Sequence, residues 1–294
     1  MGYLFAVFSV MSNAAKATCT KFVSKDISTS KQNTIFNGIR NLSCAAVTFI
    51  MILILNGGFS LSFAPLEILL CSVSGLAMAA FAFFWTFAVK SDAYMLVSSC
   101  NSASFVIPCI FGFAFLGEKI TLYKFIAFLI IVLALYFLLR HNFKLKGRIT
   151  LNQGLMLFGI AVSMGLYQAM QKIYAVNILD KDVAYYTFYT FALSGIILIA
   201  AAPFFKKEDG TRMSFIVRKN TVSLVVMAIG NFTSSYFQGL AAKSVDTIIL
   251  FPMINALSLI AGGLVSSLIF KERITKSCLV GLILVFIALL LSRL

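Results

Sequence analysis

Gly117-Glu118-Lys119-Ile120-Thr121 ends one long apolar run, and Lys271-Glu272-Arg273-Ile274-Thr275 ends another. The surroundings of the two turns agree. Upstream of each lie a small-residue helix end, a Lys, an Asp and a long apolar helix with one Asn. Downstream lies another apolar helix, so the copies run from Trp85 to Phe137 and from Tyr236 to Leu291. Asp92/Asp246, Asn101/Asn255, Glu118/Glu272, Ile120/Ile274 and Thr121/Thr275 are each 154 positions apart. Five matches at one offset mark an internal duplication, each copy about half the chain.

Composition places this duplication in lipid. Hydrophobic residues make up 61% of the 294 and charged residues 12%, with a mean hydropathy of +0.98. A water-soluble domain carries about 25% charged residues, so this chain has too few polar groups to cover a surface in water. A spanning helix takes about 20 apolar residues. The apolar runs give ten spans, at 2–22, 34–56, 66–89, 94–116, 121–140, 151–176, 183–205, 221–241, 247–270 and 276–292. No soluble domain fits beside them. Backbone groups in lipid must pair within their own segment, so the spans are helices. The expected fold is all-α: a polytopic membrane protein with ten transmembrane helices. The first apolar run carries Ser, Asn and Lys with no basic region before it, and it reads as a span rather than a cleavable signal.

Ser12 and Lys21 align with Ser163 and Lys172 at an offset of 151, which extends the duplication to the first helix of each half. The halves are then 1–140 and 151–294, joined by the basic connection 141–150. Five is an odd number, so the second half enters the membrane from the opposite side. Two inverted five-helix repeats with substrate between them are a common transporter plan. The stretch 206–220 is the longest polar connection, and its Met213, Phe215, Ile216 and Val217 suit a segment lying flat at the interface.

The turns, Pro108, the Ala-rich end of the third span with Lys90-Ser91-Asp92-Ala93, and Arg40 together resemble the drug/metabolite transporter superfamily, EamA type. The resemblance covers essentially the whole chain. It implies a ten-helix carrier whose central cavity is lined by spans 1, 3, 4, 6, 8 and 9, working as a monomer in the cell membrane. It also implies export of amino acids, related metabolites or drug-like solutes. A nucleotide-sugar or lipid-linked-sugar carrier of the same superfamily is a second reading, and a non-transporting receptor or scaffold a third. Two departures, Met11-Ser12-Asn13 in place of Trp-Gly and the early position of Pro252, bear on substrate class rather than fold.

Charge gives orientation and excludes several chemistries. The net charge of +14 suits basic loops against anionic headgroups, and no basic patch with aromatics on a soluble face points to nucleic acid. Lys and Arg concentrate after spans 1, 5, 7 and 9, which puts both termini outside by the positive-inside rule. The family resemblance implies both termini inside. The acids Asp26, Glu67, Asp92, Glu118, Asp180, Asp182, Glu208, Asp209, Asp246 and Glu272 all fall at span ends or in loops. A proton-coupled pump usually buries a carboxylate or histidine mid-membrane, and an enzyme needs a base or a metal cluster. The single histidine, His141, lies in a basic loop, and the six cysteines, none in a CxxC pair, read as packing residues. No phosphate-binding Gly-rich loop is present. No cofactor is expected, and the chain reads as a secondary carrier, not an enzyme.

The interior polar residues are the candidate substrate contacts. In span 1, Ser9, Ser12, Asn13, Lys16 and Thr20 recur at helical spacing. Lys16 either snorkels to the headgroups or lines the cavity as counter-charge to an anionic or carboxylate-bearing substrate. Span 6 offers Ser163, Tyr167, Gln168 and Gln171 on the matching face. Asn101 and Asn255 occupy paired helices, span 8 adds Asn231 and Tyr236, and span 3 adds Trp85, the only Trp. Such groups either hold helices together or line a cavity. Their recurrence in paired spans favours the cavity. Glu118 and Glu272 read as corners, each helped by the N-terminus of the helix that follows. Ser258, Gly262 and Ser266 read as a close-packing face.

Overall fold

The structure, a computed structural model, describes residues 1–24, 26–60, 64–89, 101–119, 121–140, 151–205, 212–270 and 276–291. Its elements are α1 (Gly2–Ser24), α2 (Ser30–Asn56), α3 (Pro65–Val89), a short turn Ala103–Phe105 running into α4 (Val106–Phe115), α5 (Leu122–Arg140), α6 (Leu151–Asn177), α7 (Val183–Ala201), α8 (Met213–Lys219), α9 (Thr221–Ala242), α10 (Thr247–Phe270) and α11 (Lys276–Leu291). The described residues contain no strand. The connection 141–150 with His141, Asp92 and Glu272 lie outside them, as does the packing around Gly262 and Ser266.

Local chemistry sets the helix ends. Thr29 and Gln32 form a capping box at the start of α2, which satisfies two otherwise orphaned backbone donors. Gly57 closes that helix in the left-handed region, φ 66°, where a Cβ would be strained. Asp182 caps α7 by accepting from the Ala184 N–H at 2.7 Å. Pro65 opens α3 at a position that needs no N–H donor.

Loop contacts fix the direction of each helix. At one end of the bundle, Gly2 lies against Ser244 and Val245 of the α9–α10 turn. At that end too, the Ser60 backbone N–H donates to the Tyr185 hydroxyl at 3.2 Å, and Lys124 pairs with Asp246 at 2.6 Å. This N-terminal end therefore gathers the loops after α2, α4, α6 and α9. At the opposite end Asp26 accepts from Lys219 at 2.6 Å and from Asn220 at 2.9 Å. Those two donors hold its carboxyl below the usual carboxylate range. α1 starts at the N-terminal end and α6 finishes there, so the two run in opposite directions.

Helix pairing repeats when the halves are exchanged. α1 packs along α9, and α6 packs along α3; α1 also meets α10 as α6 meets α4. α3 meets α7 as α9 meets α2. α2 with α7, and α5 with α11, pair across the middle. The α2–α7 crossing is itself reciprocal. Gly38 makes room for Ile199, and Gly195 makes room for Leu42. Small residues at such crossings let backbones approach where lipid supplies no hydrophobic drive.

Large apolar side chains point outward all around the bundle, among them Ile50, Ile54, Leu69, Leu76, Phe113, Leu122 and Phe158. Exposed apolar surface of this extent belongs against lipid rather than water. By length and composition α2, α3, α6 and α7 can each cross a membrane, and α8 with α9 passes the same test as a pair bent by 75°. α8 is thus turned at a steep angle to α9. Ile216 is buried with Val23, Phe36, Leu224 and Met227, while Phe215 stays exposed.

Candidate substrate pathway

Polar side chains that lipid would penalise if unpaired gather inside the bundle, within the second half and across to the first. Ser235 of α9 is the hub. Its hydroxyl contacts the Tyr167 hydroxyl at 2.7 Å and the Thr187 hydroxyl at 2.9 Å, and its carbonyl accepts from Gln171 Nε2 at 2.8 Å. The Tyr186 hydroxyl donates to the Tyr167 carbonyl at 2.8 Å and meets Ser74 of α3. On the other flank of α9, Ser234 contacts Ser9 of α1 at 3.2 Å. Ser104 donates to Gln168 at 3.4 Å, Asn255 to the Ser102 carbonyl at 3.0 Å, and Asn41 to Ser194 at 2.9 Å. These bonds join α1, α2, α3, α4, α6, α7, α9 and α10.

Several buried amide atoms have no hydrogen-bond partner among the described residues: Gln171 Oε1, Asn231 Nδ2, Gln238 Nε2 and Asn101 Oδ1. An orphaned buried amide costs roughly 1–3 kcal/mol, so such groups are suited to water or a polar solute.

The predicted residues divide. Tyr167, Gln168, Gln171 and Asn231 are all buried and belong to this interior set. Asn101 and Asn255 sit in the paired helices, with Asn255 spent on the α4 backbone. Ser12 donates to the Phe8 carbonyl of its own helix at 2.9 Å, so its one donor is taken while its oxygen can still accept. Asn13 is half-buried beside it. Tyr236 stacks on Phe232 and donates to Asp182 at 3.3 Å. It therefore points to the N-terminal mouth. Trp85 is twenty residues along α3 from Pro65, about 30 Å at 1.5 Å per residue. It packs on Phe81 at the far end of its helix, away from the Ser235 hub.

At the N-terminal end a hollow of about 380 Å³ is lined by Asn56, Gly58, Phe59, Ser60, Asp180, Lys181, Asp182 and Tyr185. Behind it Glu67, 2% exposed, pairs with Lys181 at 3.0 Å and accepts from Tyr174 at 3.2 Å. The Glu118 turn closes the same end in a way the sequence did not indicate. Its carboxylate does not sit on the following helix α5. It accepts from the Thr247 N–H at 2.8 Å and the Thr247 hydroxyl at 2.7 Å, at the start of α10, and pairs with Lys172 at 3.2 Å. Lys172 in turn donates to the Ala242 and Val245 carbonyls, at 2.9 and 2.8 Å. One ion pair thus serves the C-terminus of α9 and the N-terminus of α10, with the charge signs the helix dipoles favour. Gly117 makes the turn at φ 61°, and Gly112 leaves the space that Thr247 and Glu118 occupy.

The hydroxyl network was partly legible: Tyr185, Tyr186, Thr187 and Thr190 crowd an otherwise apolar helix. Nothing local in the sequence marked Glu67, Lys172 or the Asn41–Ser194 contact. Among the described residues no group of three or more His, Cys, Asp and Glu could hold a metal ion.

The sequence matches the EamA-like transporter family over residues 1–140 and 153–294. A crystal structure of another protein shares the fold, with a TM-score of 0.73 over 99% of this chain and 96% of its own, at 15% identity. No curated protein matches by sequence.

Proposed function

The chain belongs to the EamA-like transporter family, and on that premise we propose that it is a secondary carrier in the cell membrane. Its cargo is a small organic metabolite such as an amino acid or a drug-like solute, and its direction is export. The working unit is a single chain of ten spans, α1 to α7 and α9 to α11, arranged as two inverted halves. The observation that carries this reading is the exchange symmetry of the helix pairs together with the polar bonds that cross between the halves. Alternating access needs two halves that can rock about a shared midplane site, and this pairing supplies them. The Glu118–Lys172–Thr247 corner ties the two halves together at the N-terminal end, whereas the Ser235 hub holds the second half together. Opening toward that end requires breaking the Glu118 corner.

The test is flux. Purified protein in proteoliposomes should take up or counterflow at least one labelled solute from a panel of amino acids, nucleosides and sugar phosphates, assayed with and without a pH gradient. The flux should need no ATP. A panel that yields no flux in either direction sinks the proposal and leaves the scaffold reading standing.

A further inference from the structure

Lys16 and Arg40 occupy one depth in the bundle. Lys16 is eight residues from the end of α1 at Ser24, Arg40 ten from the start of α2 at Ser30, and Asn231 ten from the start of α9 at Thr221. At 1.5 Å per residue these are depths of about 12–15 Å from the same end, the centre of a hydrocarbon layer about 30 Å thick. The three helices are also in register. The layer of Val23, Phe36 and Met227 packs together, and Lys16, Arg40 and Asn231 each lie one or two turns further in.

Neither cation faces lipid. The exposed stripe of α1 runs through Leu4, Phe8, Met11, Ala15 and Phe22. Lys16 lies across the helix from it, with its stem against the bare backbone of Gly230. Arg40 stands away from the exposed Phe49, Ile50 and Leu53 of α2. Its guanidinium reaches the Asn41 Oδ1 at 3.4 Å. Among the described residues the Lys16 ammonium has no hydrogen-bond or ion-pair partner, and the charged group that acts on it is the Arg40 guanidinium. No Asp or Glu falls mid-span; Glu67, the acid within α3, sits in its first turn at the opposite end and is paired with Lys181.

The neighbouring unpartnered atoms have the same sense. Among the described residues Asn231 Nδ2 is a buried donor without an acceptor, and Gln238 Nε2, two turns nearer the N-terminal end, is another. By helical spacing both lie on the stripe of α9 between Ser234, which meets α1, and Ser235, which meets α6 and α7. Two cations and the Asn231 amide donor therefore share one depth on α1, α2 and α9 with no fixed anion among the described residues. Charges at this depth are costly unless paired, and a mobile anion would supply that partner.

We propose that Lys16 and Arg40, with the Asn231 amide, form an oxyanion site at mid-membrane, and that the cargo carries a carboxylate or phosphate group that this site neutralises. The assignment of the anion as cargo rests on the carrier reading above. The site itself rests on the geometry alone. An anion arriving between α1, α2 and α9 relieves the repulsion of the two cations and joins helices from both halves. Both effects couple occupancy to movement of one half against the other.

The experiment uses the full chain in phosphatidylcholine nanodiscs. Modification of Lys16 by an amine-reactive reagent is followed by mass spectrometry with inorganic phosphate, glutamate or choline added at constant ionic strength. Phosphate or glutamate should slow modification of Lys16 and raise the unfolding temperature, and choline should do neither. Arg40→Gln should raise the anion concentration needed by roughly ten- to a hundredfold, the loss expected for one charge-assisted contact. Lys16→Arg should retain the thermal response and Lys16→Gln should lose it. A second arm in phosphatidylglycerol nanodiscs separates the sources. Protection there without added anion assigns the site to a lipid headgroup phosphate, and protection only by the soluble probes assigns it to a free solute. Unprotected Lys16 in wild-type protein, or an unchanged response in Arg40→Gln, overturns the site. Because protection is read without flux, a chain that transports with Lys16 unprotected fails the anion site alone. A chain that is protected but moves no solute fails only the carrier reading.

Discussion

At the residue scale, Glu118 has the clearest consequence. It lies on a tight turn, where acids are usually solvated, yet both it and Lys172 are largely withdrawn from solvent. Removing one partner of a buried ion pair leaves the other charged and unpaired, which costs about 3–5 kcal/mol. Glu118→Ala should therefore lower thermal stability in detergent by most of that amount. Glu118→Gln, which keeps an acceptor for the Thr247 N–H, should lower it less. An unfolding temperature unchanged in Glu118→Ala would show that the corner contributes nothing. The sequence identified this residue but not its role, because Thr247 is 129 positions away. Ser12 is the reverse case. Helical periodicity places its side chain on the polar face, but a serine there can hydrogen-bond the preceding turn, and it does so.

Elements meet through notches. A Cβ on Gly195 would stand 2.7 Å from Leu42 Cγ and 3.0 Å from the Leu42 backbone nitrogen, so a flexible side chain moving aside would not relieve the clash. Gly195→Ala should cost about 1–3 kcal/mol, the usual range for overpacking, and loosen the α2–α7 crossing. Gly154→Ala in α6 is the matched control. Nothing lies within 4 Å of its Cβ position, so it should be neutral or gain a few tenths of a kcal/mol up to about 1 kcal/mol from better helix propensity. Unfolding midpoints of the two variants side by side decide the point, and equal midpoints would refute it. Glycine content alone did not separate these positions. Both are helical glycines in apolar runs, and only the partner helix distinguishes them.

Across the whole molecule, charge is distributed unevenly between the two ends. Glu67, Glu118, Asp180, Asp182 and Asp246 gather at the N-terminal end, whereas Lys and Arg dominate the connections at the other. The positive-inside rule assigns the basic end to the cytoplasm. In a cysteine-free background Gly58→Cys should then react with a membrane-impermeant maleimide on intact cells, and Ser214→Cys only after permeabilisation. The opposite pattern would set both termini inside, as the family resemblance implies.

The sequence by itself determined that this chain is helical, that it belongs in lipid, and that it contains two related halves. Each follows from a property local to a segment: apolar length, backbone pairing within one helix, and residue identity at a constant offset. The repeated turns at Glu118 and Glu272 were legible in the same way. Only the tertiary structure decided what those segments do to one another. It sent the Glu118 carboxylate to α10 rather than α5 and set Trp85 apart from the polar hub. It also brought Lys16 and Arg40 to one depth with no acid between them. Periodicity gives the face on which a side chain stands, but the helix opposite that face is chosen by packing over the whole bundle.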